Sequence, residues 1–164
     1  MENIPKVHIE LVKEKTVNCE EQFLSSPVLR AEFGRTLYFK ENENEIRSPT
    51  REIVTVCCVD KNGRVLAVEC AFVGTSSSAP VGMKELFMSA ILCNADGIIC
   101  FHNHPSGDAH PSIADNLMTQ RIEKAGAILD IKLYDHIIIA ENGYYSYEEK
   151  KINEWRDRIN EKAG

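Results

Sequence analysis

The 164-residue sequence has the composition of an ordinary globular protein and a net charge of −6 at pH 7. Hydrophobic residues make up 43% and charged residues 27%, which excludes a disordered chain and is enough to build a buried core. No apolar run approaches the roughly 18 residues of a membrane-spanning helix. Residues 1–6 also lack the apolar stretch of a secretory signal. We therefore predict a cytoplasmic protein without membrane contact, folded as a single domain over residues 1–164.

Charge and cysteine placement narrow the class of partner and of metal site. Nucleic-acid binding needs Lys and Arg gathered against phosphates, whereas here acids and bases are interleaved, so a nucleic-acid partner is disfavoured. The six cysteines include no Cys-x-x-Cys pair, which argues against a zinc site built on sulfur. Most of them lie in apolar runs, where a reduced thiol packs as a small hydrophobe. These cysteines, predicted to be reduced core thiols, are Cys57, Cys58, Cys70, Cys93 and Cys100.

The first half of the chain predicts a strand, a helix and a hairpin. Residues 6–12 alternate apolar and polar side chains, which is typical of a strand. A helix is predicted to begin at residues 25–27, where Ser-Ser-Pro places Pro in the first turn. The β-branched run 53–59, the turn 60–63 and the apolar run 65–73 together predict a β-hairpin.

The second half alternates helical and strand-like segments. Residues 84–94 show helical spacing, and residues 97–101 form a wholly apolar run that predicts a strand buried on both faces and ending at His102. A further helix is predicted from about residue 112 to residue 129. The side chains expected on its inner face are Leu117, Ile122, Ala125 and Leu129.

The C-terminal part predicts two more strands and a charged helix. Residues 137–140 indicate a buried strand, residues 142–143 a turn and residues 144–147 the answering strand. The tail beyond residue 147 mixes acids and bases and predicts a solvated helix with Trp155 on its apolar side. Helices and strands in this order indicate an α/β protein with a central sheet.

The residues that point to chemistry lie between His102 and Asp115. His102 and His104 stand two apart at the end of an extended strand, so both imidazoles share one face. Asp115 falls in the first turn of the next helix, and two His with one carboxylate leave a fourth position for water, as in catalytic zinc sites. The alternative is that the two histidines face solvent and that Ser112 and Asp115 form only a helix capping box.

This segment resembles the signature of the JAMM metalloproteases (the JAB1/MPN/Mov34 superfamily): His-x-His-Pro, seven residues, then Ser-x-x-Asp. Two segments are similar to the RadC branch: His-Asn-His-Pro-Ser-Gly-Asp at residues 102–108 and Asp-His-Ile-Ile at residues 135–138. The resemblance implies a three-layer α/β/α fold with a central mixed sheet, related to the cytidine deaminases, and a Zn²⁺ ion held by His102, His104 and Asp115. It covers about residues 48–147, which leaves an N-terminal strand–helix extension and a C-terminal charged helix.

The resemblance further implies a general acid/base glutamate at the start of an upstream strand, a place that Glu52 matches. Glu52 would take a proton from a water polarised by zinc and return it to the departing amine. Ser112 would hydrogen-bond the reacting oxygen. From the residues alone, Glu69 and Glu85 compete with Glu52, although Glu85 fits the surface of a helix and Glu69 would pair across the hairpin.

Three other histidines receive weaker assignments. Asp135 and His136 precede the last buried strand, and a satisfied structural histidine is favoured there over one that orients a ligand. His110 lies between the predicted ligands without matching the motif, and His8 is assigned no role.

Two functions follow from these residues. The first is a zinc-dependent metallopeptidase that hydrolyses amide or isopeptide bonds in a peptide or protein substrate. The second is an interaction module without peptidase activity, tied to DNA repair or mobile elements, which the RadC label implies. Longer RadC proteins carry an N-terminal helix-hairpin-helix region, and residues 1–45 show no Gly-containing hairpin of that kind. Substrate and oligomeric state are not predicted by the sequence.

Overall fold

A computed structural model describes residues 11–12, 14, 16, 23–39, 51–74 and 81–154. The helices are α1 Pro27–Tyr38, α2 Met83–Leu92 and α3 Ile113–Leu129, and residues 147–154 are also helical. The strands are β1 Ile53–Val59, β2 Val65–Val73, β3 Gly97–Asn103, β4 Lys132–Ala140 and β5 Gly143–Ser146. They form one sheet in the order β2-β1-β3-β4-β5.

The sheet is mixed because one pair of strands is parallel. β3 and β4 run parallel and are joined by α3, since a parallel connection needs a crossover, whereas the other neighbouring pairs are antiparallel. Alternate side chains of the strands feed two hydrophobic clusters. On one face, Phe33 and Leu37 of α1 pack with Phe101; on the other, Phe87 of α2 packs with Ile122 of α3. The predicted three-layer α/β/α architecture with a central mixed sheet is confirmed.

Local sequence signals determine where the first elements begin and turn. The Ser26 hydroxyl oxygen accepts a hydrogen bond from the Leu29 N–H, and Pro27 occupies the first turn of α1, as predicted. Between β1 and β2, Asp60 Oδ1 accepts from the N–H groups of Asn62 and Arg64, which closes the predicted hairpin.

Two details of the second half differ from the predictions. β3 does not end at His102 but continues through Asn103, so His102 is a buried strand residue. In α3, the predicted inner residues Leu117 and Leu129 are 55% and 42% exposed. The helix turns Thr119 and Gly126 toward the sheet together with Ile122, whose inward position is confirmed. Apolar periodicity misplaced this face because part of it is polar.

Parts of three predictions fall outside the described residues. Of the strand expected at residues 6–12, the structure describes only Leu11 and Val12, which are exposed and in no strand. His8 and Trp155 also lie outside the described residues. None of the helices described is long and apolar enough to cross a bilayer.

The cysteines within the described ranges form no disulfide. Cys57 and Cys58 point to opposite faces of β1, and both are fully buried, as is Cys100. Burial raises the pKa of the Cys58 thiol to about 12, against the lowering effect of its hydrogen bond with Ser89. Cys70 is exposed on the edge strand, so the prediction of a core thiol is wrong at that position. The strand that carries Cys70, β2, is less buried on both faces than β1 and β3 are.

A glycine allows the chain to fold back at the end of α3. A Cβ atom at Gly126 would collide with the carbonyl oxygen of Ile131, the residue that leads into β4. Gly126→Ala should therefore destabilise the protein by about 1–3 kcal/mol, because the steric overlap outweighs the better helix propensity of Ala. Urea unfolding measures this loss. The exposed Gln120→Ala on the same helix serves as control, and an equal or greater stability of Gly126→Ala would contradict the packing argument.

Candidate metal centre

Three potential metal ligands converge where β3 ends and α3 begins. His102 and His104 share one face of the extended chain, and Asp115 is the third residue of α3. Their ligand atoms lie within 4.8 Å of one another, and they are the group of this kind found among the described residues. Their side chains are 3%, 11% and 14% exposed, so the cluster is buried on the His102 side and opens to solvent beside His104 and Asp115.

The closest distances within this group, which involve both carboxylate oxygens of Asp115, are near those between ligands of a small tetrahedral ion. His102 Nε2 lies 3.0 Å from His104 Nε2 and 3.2 Å from Asp115 Oδ1, and His104 Nε2 lies 3.4 Å from Asp115 Oδ2. Ligand atoms that bind zinc at about 2.0–2.1 Å in a tetrahedron stand about 3.3 Å apart. The residues present therefore fit a divalent ion, and three protein ligands leave one position for water or substrate.

His104 is oriented by the loop that follows it. Its Nδ1 lies 2.7 Å from the carbonyl oxygen of Asp108, which can only accept, so Nδ1 carries the hydrogen and Nε2 faces the cluster. The hydrogen bond with Asp115 raises the pKa of His104, burial opposes it, and the Asp108 carbonyl and the charge of Glu52 raise it further. His110 is 88% exposed and bonds Asp108 Oδ1, away from the cluster.

Asp115 is held by the helix cap that Ser112 forms. Ser112 is the N-cap of α3, and its hydroxyl and backbone N–H donate to Asp115 Oδ2 at 2.6 and 2.7 Å. Burial alone would raise the pKa of Asp115, but hydrogen bonds with His102 and His104 bring it far below its usual range. The capping box and the ligand cluster are thus both present, and one carboxylate serves both. The predicted contact of Ser112 with a reacting oxygen stays a prediction.

His102 rests on a second histidine rather than on a carboxylate or carbonyl. Its Nδ1 lies 2.8 Å from His136 Nε2, and His136 Nδ1 lies 2.7 Å from the hydroxyl of Thr119. The ring of Tyr147 stacks on His136 with a 4° interplanar angle. Complete burial takes the pKa of His136 well below its ordinary value. His136 is therefore a buried histidine with both ring nitrogens hydrogen-bonded, as favoured from the sequence, and it also contacts the candidate ligand His102.

Asp135, the neighbour of His136, points to the opposite face of β4. It accepts hydrogen bonds from the Ser146 hydroxyl and the Glu148 N–H and pairs with the buried Arg30 at 3.4 Å. Arg30 also pairs with Glu148. These contacts join α1 to β4 and to the start of the last helix, so Asp135 has a role in the fold and not in the cluster.

Glu52 lies beside the cluster because Asn103 holds the backbone on both sides of it. Asn103, 2% exposed, accepts from the Ile53 N–H at 2.8 Å and donates to the Arg51 carbonyl at 2.9 Å. The Gly74 N–H donates to the Glu52 carbonyl at 2.7 Å. Glu52 itself is exposed, and its charge acts on His104. The start of β1 is thereby fixed against the end of β3.

The two competing glutamates have other surroundings. Glu69 lies opposite Val56 in the hairpin, where its charge contributes to the raised pKa of Cys58. Glu85 is exposed on α2 and pairs with Lys84 at 3.6 Å. Of the three carboxylates, Glu52 is the one whose charge raises the pKa of His104.

Comparisons with known proteins identify the fold family. A family model described as the RadC-like JAB domain matches residues 36–152. The chain belongs to this family. A UPF0758 protein of Thermotoga maritima is 44% identical over 100 residues, which is 61% of this chain and 45% of that protein. A UPF0758 protein of Pasteurella multocida is 33% identical over 136 residues, 79% of this chain and 61% of that protein.

A third relative has the same description. A UPF0758 protein of Haemophilus ducreyi is 36% identical over 118 residues, covering 72% of this chain and 52% of that protein. The chain thus spans about half the length of the curated relatives it matches. Their names state no activity, substrate or ligand.

Three residues of this RadC-like domain that contact the site were missed in the sequence. Thr119 lies one helical turn after Asp115, a spacing that places both on one face and could have revealed it. For Asn103, the only sequence signal is its place between two histidines, which puts its side chain on the opposite face of the strand. No sequence signal joins Tyr147 to His136, because the sheet order brings them together.

The Asn103 contacts can be tested by their effect on stability. Asn103→Ala leaves the Ile53 N–H and the Arg51 carbonyl without these partners, and each partly buried orphan should cost about 1–3 kcal/mol. Asn142→Ala is the control, because Asn142 is exposed and makes one long hydrogen bond, 3.4 Å, to the Gly107 carbonyl. Urea unfolding compares the two. Equal losses would contradict a special role of Asn103 in holding β1 against β3.

Proposed function

We propose that this chain is a zinc-dependent hydrolase of amide or isopeptide bonds, a metallopeptidase of the JAMM type acting on a peptide or protein. The observation that carries the proposal is the convergence of His102, His104 and Asp115 beside the Glu52 backbone, with one ligand atom from each residue within 4.8 Å of the others. Membership of the RadC-like JAB family supports it.

The donor set favours zinc with an open coordination position. Two imidazoles and one carboxylate are the ligands of catalytic zinc sites, whereas closed structural sites use thiolates and four protein ligands. Zinc held there would supply Lewis acidity, polarising a carbonyl and lowering the pKa of water to about 7. His104 and Asp115 lie on the solvent side of the cluster, so a substrate would approach over them.

Glu52 would carry the proton through the reaction. The attacking water adds its oxygen to the carbonyl carbon and gives a proton to Glu52, and the C–N bond then breaks as Glu52 protonates the departing nitrogen. The products are a carboxylic acid and an amine, so atoms balance with water alone as co-reactant. The position of Glu52 at the start of β1, which the hydrogen bonds of Asn103 fix, supports this role.

Ser112 has a positioning role in this scheme that its contacts support. Its hydroxyl hydrogen is directed to Asp115 Oδ2, which leaves Oδ1 as the oxygen with fewer partners, 3.2 Å from His102 Nε2. Holding a developing oxyanion is the further role proposed for Ser112, and it requires the hydroxyl to exchange Asp115 for substrate.

The competing proposal is an interaction module without peptidase activity, associated with DNA repair or mobile elements, for which nucleic-acid binding would be the evidence. The net charge of −6 gives it no support, because phosphate binding needs an excess of basic groups. Tight binding in a low-salt filter titration that weakens steeply with salt would favour this module over the hydrolase.

The metal can be tested with a matched pair of histidine variants. The wild-type protein purified from zinc-replete medium should hold about one zinc per chain, measured by elemental analysis. His104→Ala should weaken zinc binding by about a hundredfold or more through loss of a ligand, whereas His110→Ala, in the same loop, should leave it unchanged. A wild-type protein that holds no stoichiometric zinc after this purification would contradict the proposal.

The proton carrier can be tested separately from the metal. Glu52→Gln should keep the zinc and lose about 10²–10⁴-fold in hydrolysis of a fluorogenic panel of peptide and isopeptide amides, because the amide cannot accept a proton. Glu69→Gln and Glu85→Gln should retain activity. If Glu52→Gln is fully active and Glu69→Gln or Glu85→Gln is inactive, the proton transfer belongs to the glutamate whose variant is inactive.

A further inference from the structure

A chain of buried hydrogen bonds runs from the backbone of Asp115 to the ring of His102. The Thr119 hydroxyl donates to the Asp115 carbonyl oxygen at 2.7 Å, and the same hydroxyl oxygen lies 2.7 Å from His136 Nδ1. His136 Nε2 in turn lies 2.8 Å from His102 Nδ1. Thr119, His136 and His102 are 4%, 0% and 2% exposed, so water does not compete for these groups.

The direction of every bond in this chain follows from its first member. A carbonyl oxygen can only accept, so the 2.7 Å contact with Asp115 is a hydrogen bond only when the single hydrogen of the Thr119 hydroxyl is directed to it. Toward His136 the hydroxyl oxygen must then accept, which places a hydrogen on His136 Nδ1 and leaves Nε2 bare. A bare Nε2 accepts from His102 Nδ1. The hydrogen of neutral His102 is thereby placed on Nδ1, and its Nε2 lone pair faces Asp115 and His104.

The chain requires His136 to be neutral, and its surroundings favour that form. Neither ring nitrogen contacts a carboxylate, and the ring is fully buried beneath Tyr147, so an imidazolium there would lose hydration without a counterion. One donor and one acceptor around the ring match a neutral imidazole.

We propose that Thr119 and His136 are positioning residues that fix the tautomer of His102, so that its Nε2 is ready to bind the metal before any ion arrives. The inference rests on the metal centre of the proposed function and deepens it. Asp115 enters twice: its carboxylate is a ligand, and its backbone carbonyl sets the direction of the chain that prepares His102.

This arrangement makes the cluster ready for a cation. Asp108 fixes a hydrogen of His104 on Nδ1 in the same way, so Nε2 of both rings and the carboxylate of Asp115 face one another, with closest distances of 3.0–3.4 Å. The electron pairs of these groups repel one another unless a cation, either a proton or a metal ion, lies between them. The ligands are then ordered when the protein folds, so metal binding does not bear the free-energy cost of ordering them.

A purely structural role of Thr119 and His136 predicts something different. Hydrogen bonds that only fill the space between α3 and β4 would contribute to the melting temperature but would not determine which nitrogen of His102 carries the hydrogen. The tautomer of His102 and the zinc affinity therefore separate the two roles, and neither depends on a hydrolysis assay.

The first experiment reads the tautomers directly. The full chain, labelled with ¹⁵N-histidine and stripped of metal with a chelator, should show by NMR that the hydrogen of neutral His102 and of His136 resides on Nδ1 in each ring. A His102 hydrogen on Nε2 would overturn the proposal. This measurement remains decisive if the wild type fails to bind zinc, which would instead defeat the proposed function.

The second experiment removes the hydroxyl that sets the direction. Thr119→Val deprives His136 Nδ1–H of its acceptor, so His136 and His102 should each populate the other tautomer and the zinc dissociation constant should rise about tenfold to a hundredfold. Thr119→Ser restores the hydroxyl and should bind within about threefold of wild type. A chelator-competition titration with zinc measures all three.

The matched control is Thr36→Val. The Thr36 hydroxyl likewise donates to a helix carbonyl, that of Phe33, but α1 lies on the other face of the sheet. This variant should bind zinc as wild type does. If Thr119→Val binds zinc as tightly as Thr36→Val, the proposal is wrong. If Thr119→Val does not fold, the wild-type tautomers and the affinity of Thr119→Ser decide the matter.

Discussion

Nε2 of His102, Nε2 of His104 and the carboxylate of Asp115 face one point at the end of β3, and the local fold is arranged to hold them there. Such a group is stable only if the remaining polar atoms of each side chain are satisfied elsewhere. The Asp108 carbonyl supports His104, the Ser112 cap supports Asp115, and His136 supports His102. The three supports come from a loop, a helix start and a neighbouring strand. The β3–α3–β4 crossover is the unit that brings them together.

This requirement explains why α3 packs as it does. Its first two turns face the sheet with Asp115 and Thr119, so the helix cannot also present Leu117, which is left 55% exposed. Apolar packing resumes one turn later at Ile122 and ends at Gly126, where the chain folds back closely into β4. The polar half of this face fixes the rotation of the helix about its axis, and the apolar half supplies the burial energy.

The strand β3 divides its roles between its two faces. His102 faces α3 and the cluster, whereas Asn103 points the other way and binds the backbone around Glu52. The next strand repeats the division: His136 faces the cluster, and the adjacent Asp135 binds Arg30 of α1. Because successive side chains alternate across a sheet, adjacent residues in the chain serve the site on one face and the scaffold on the other.

Residue patterns alone predicted the α/β class, the hairpin, the α1 start and the grouping of His102, His104 and Asp115. Those features follow from local signals such as strand alternation, turn residues and a helix cap, and His102, His104 and Asp115 fall within fourteen consecutive positions. The tertiary structure decided the rest. His136 lies 34 residues from His102, and Asn103 binds backbone groups 50 and 52 residues away. Such pairs depend on the strand order β1-β3-β4 and its register, which side-chain periodicity does not encode, because one alternating pattern fits any neighbouring strand.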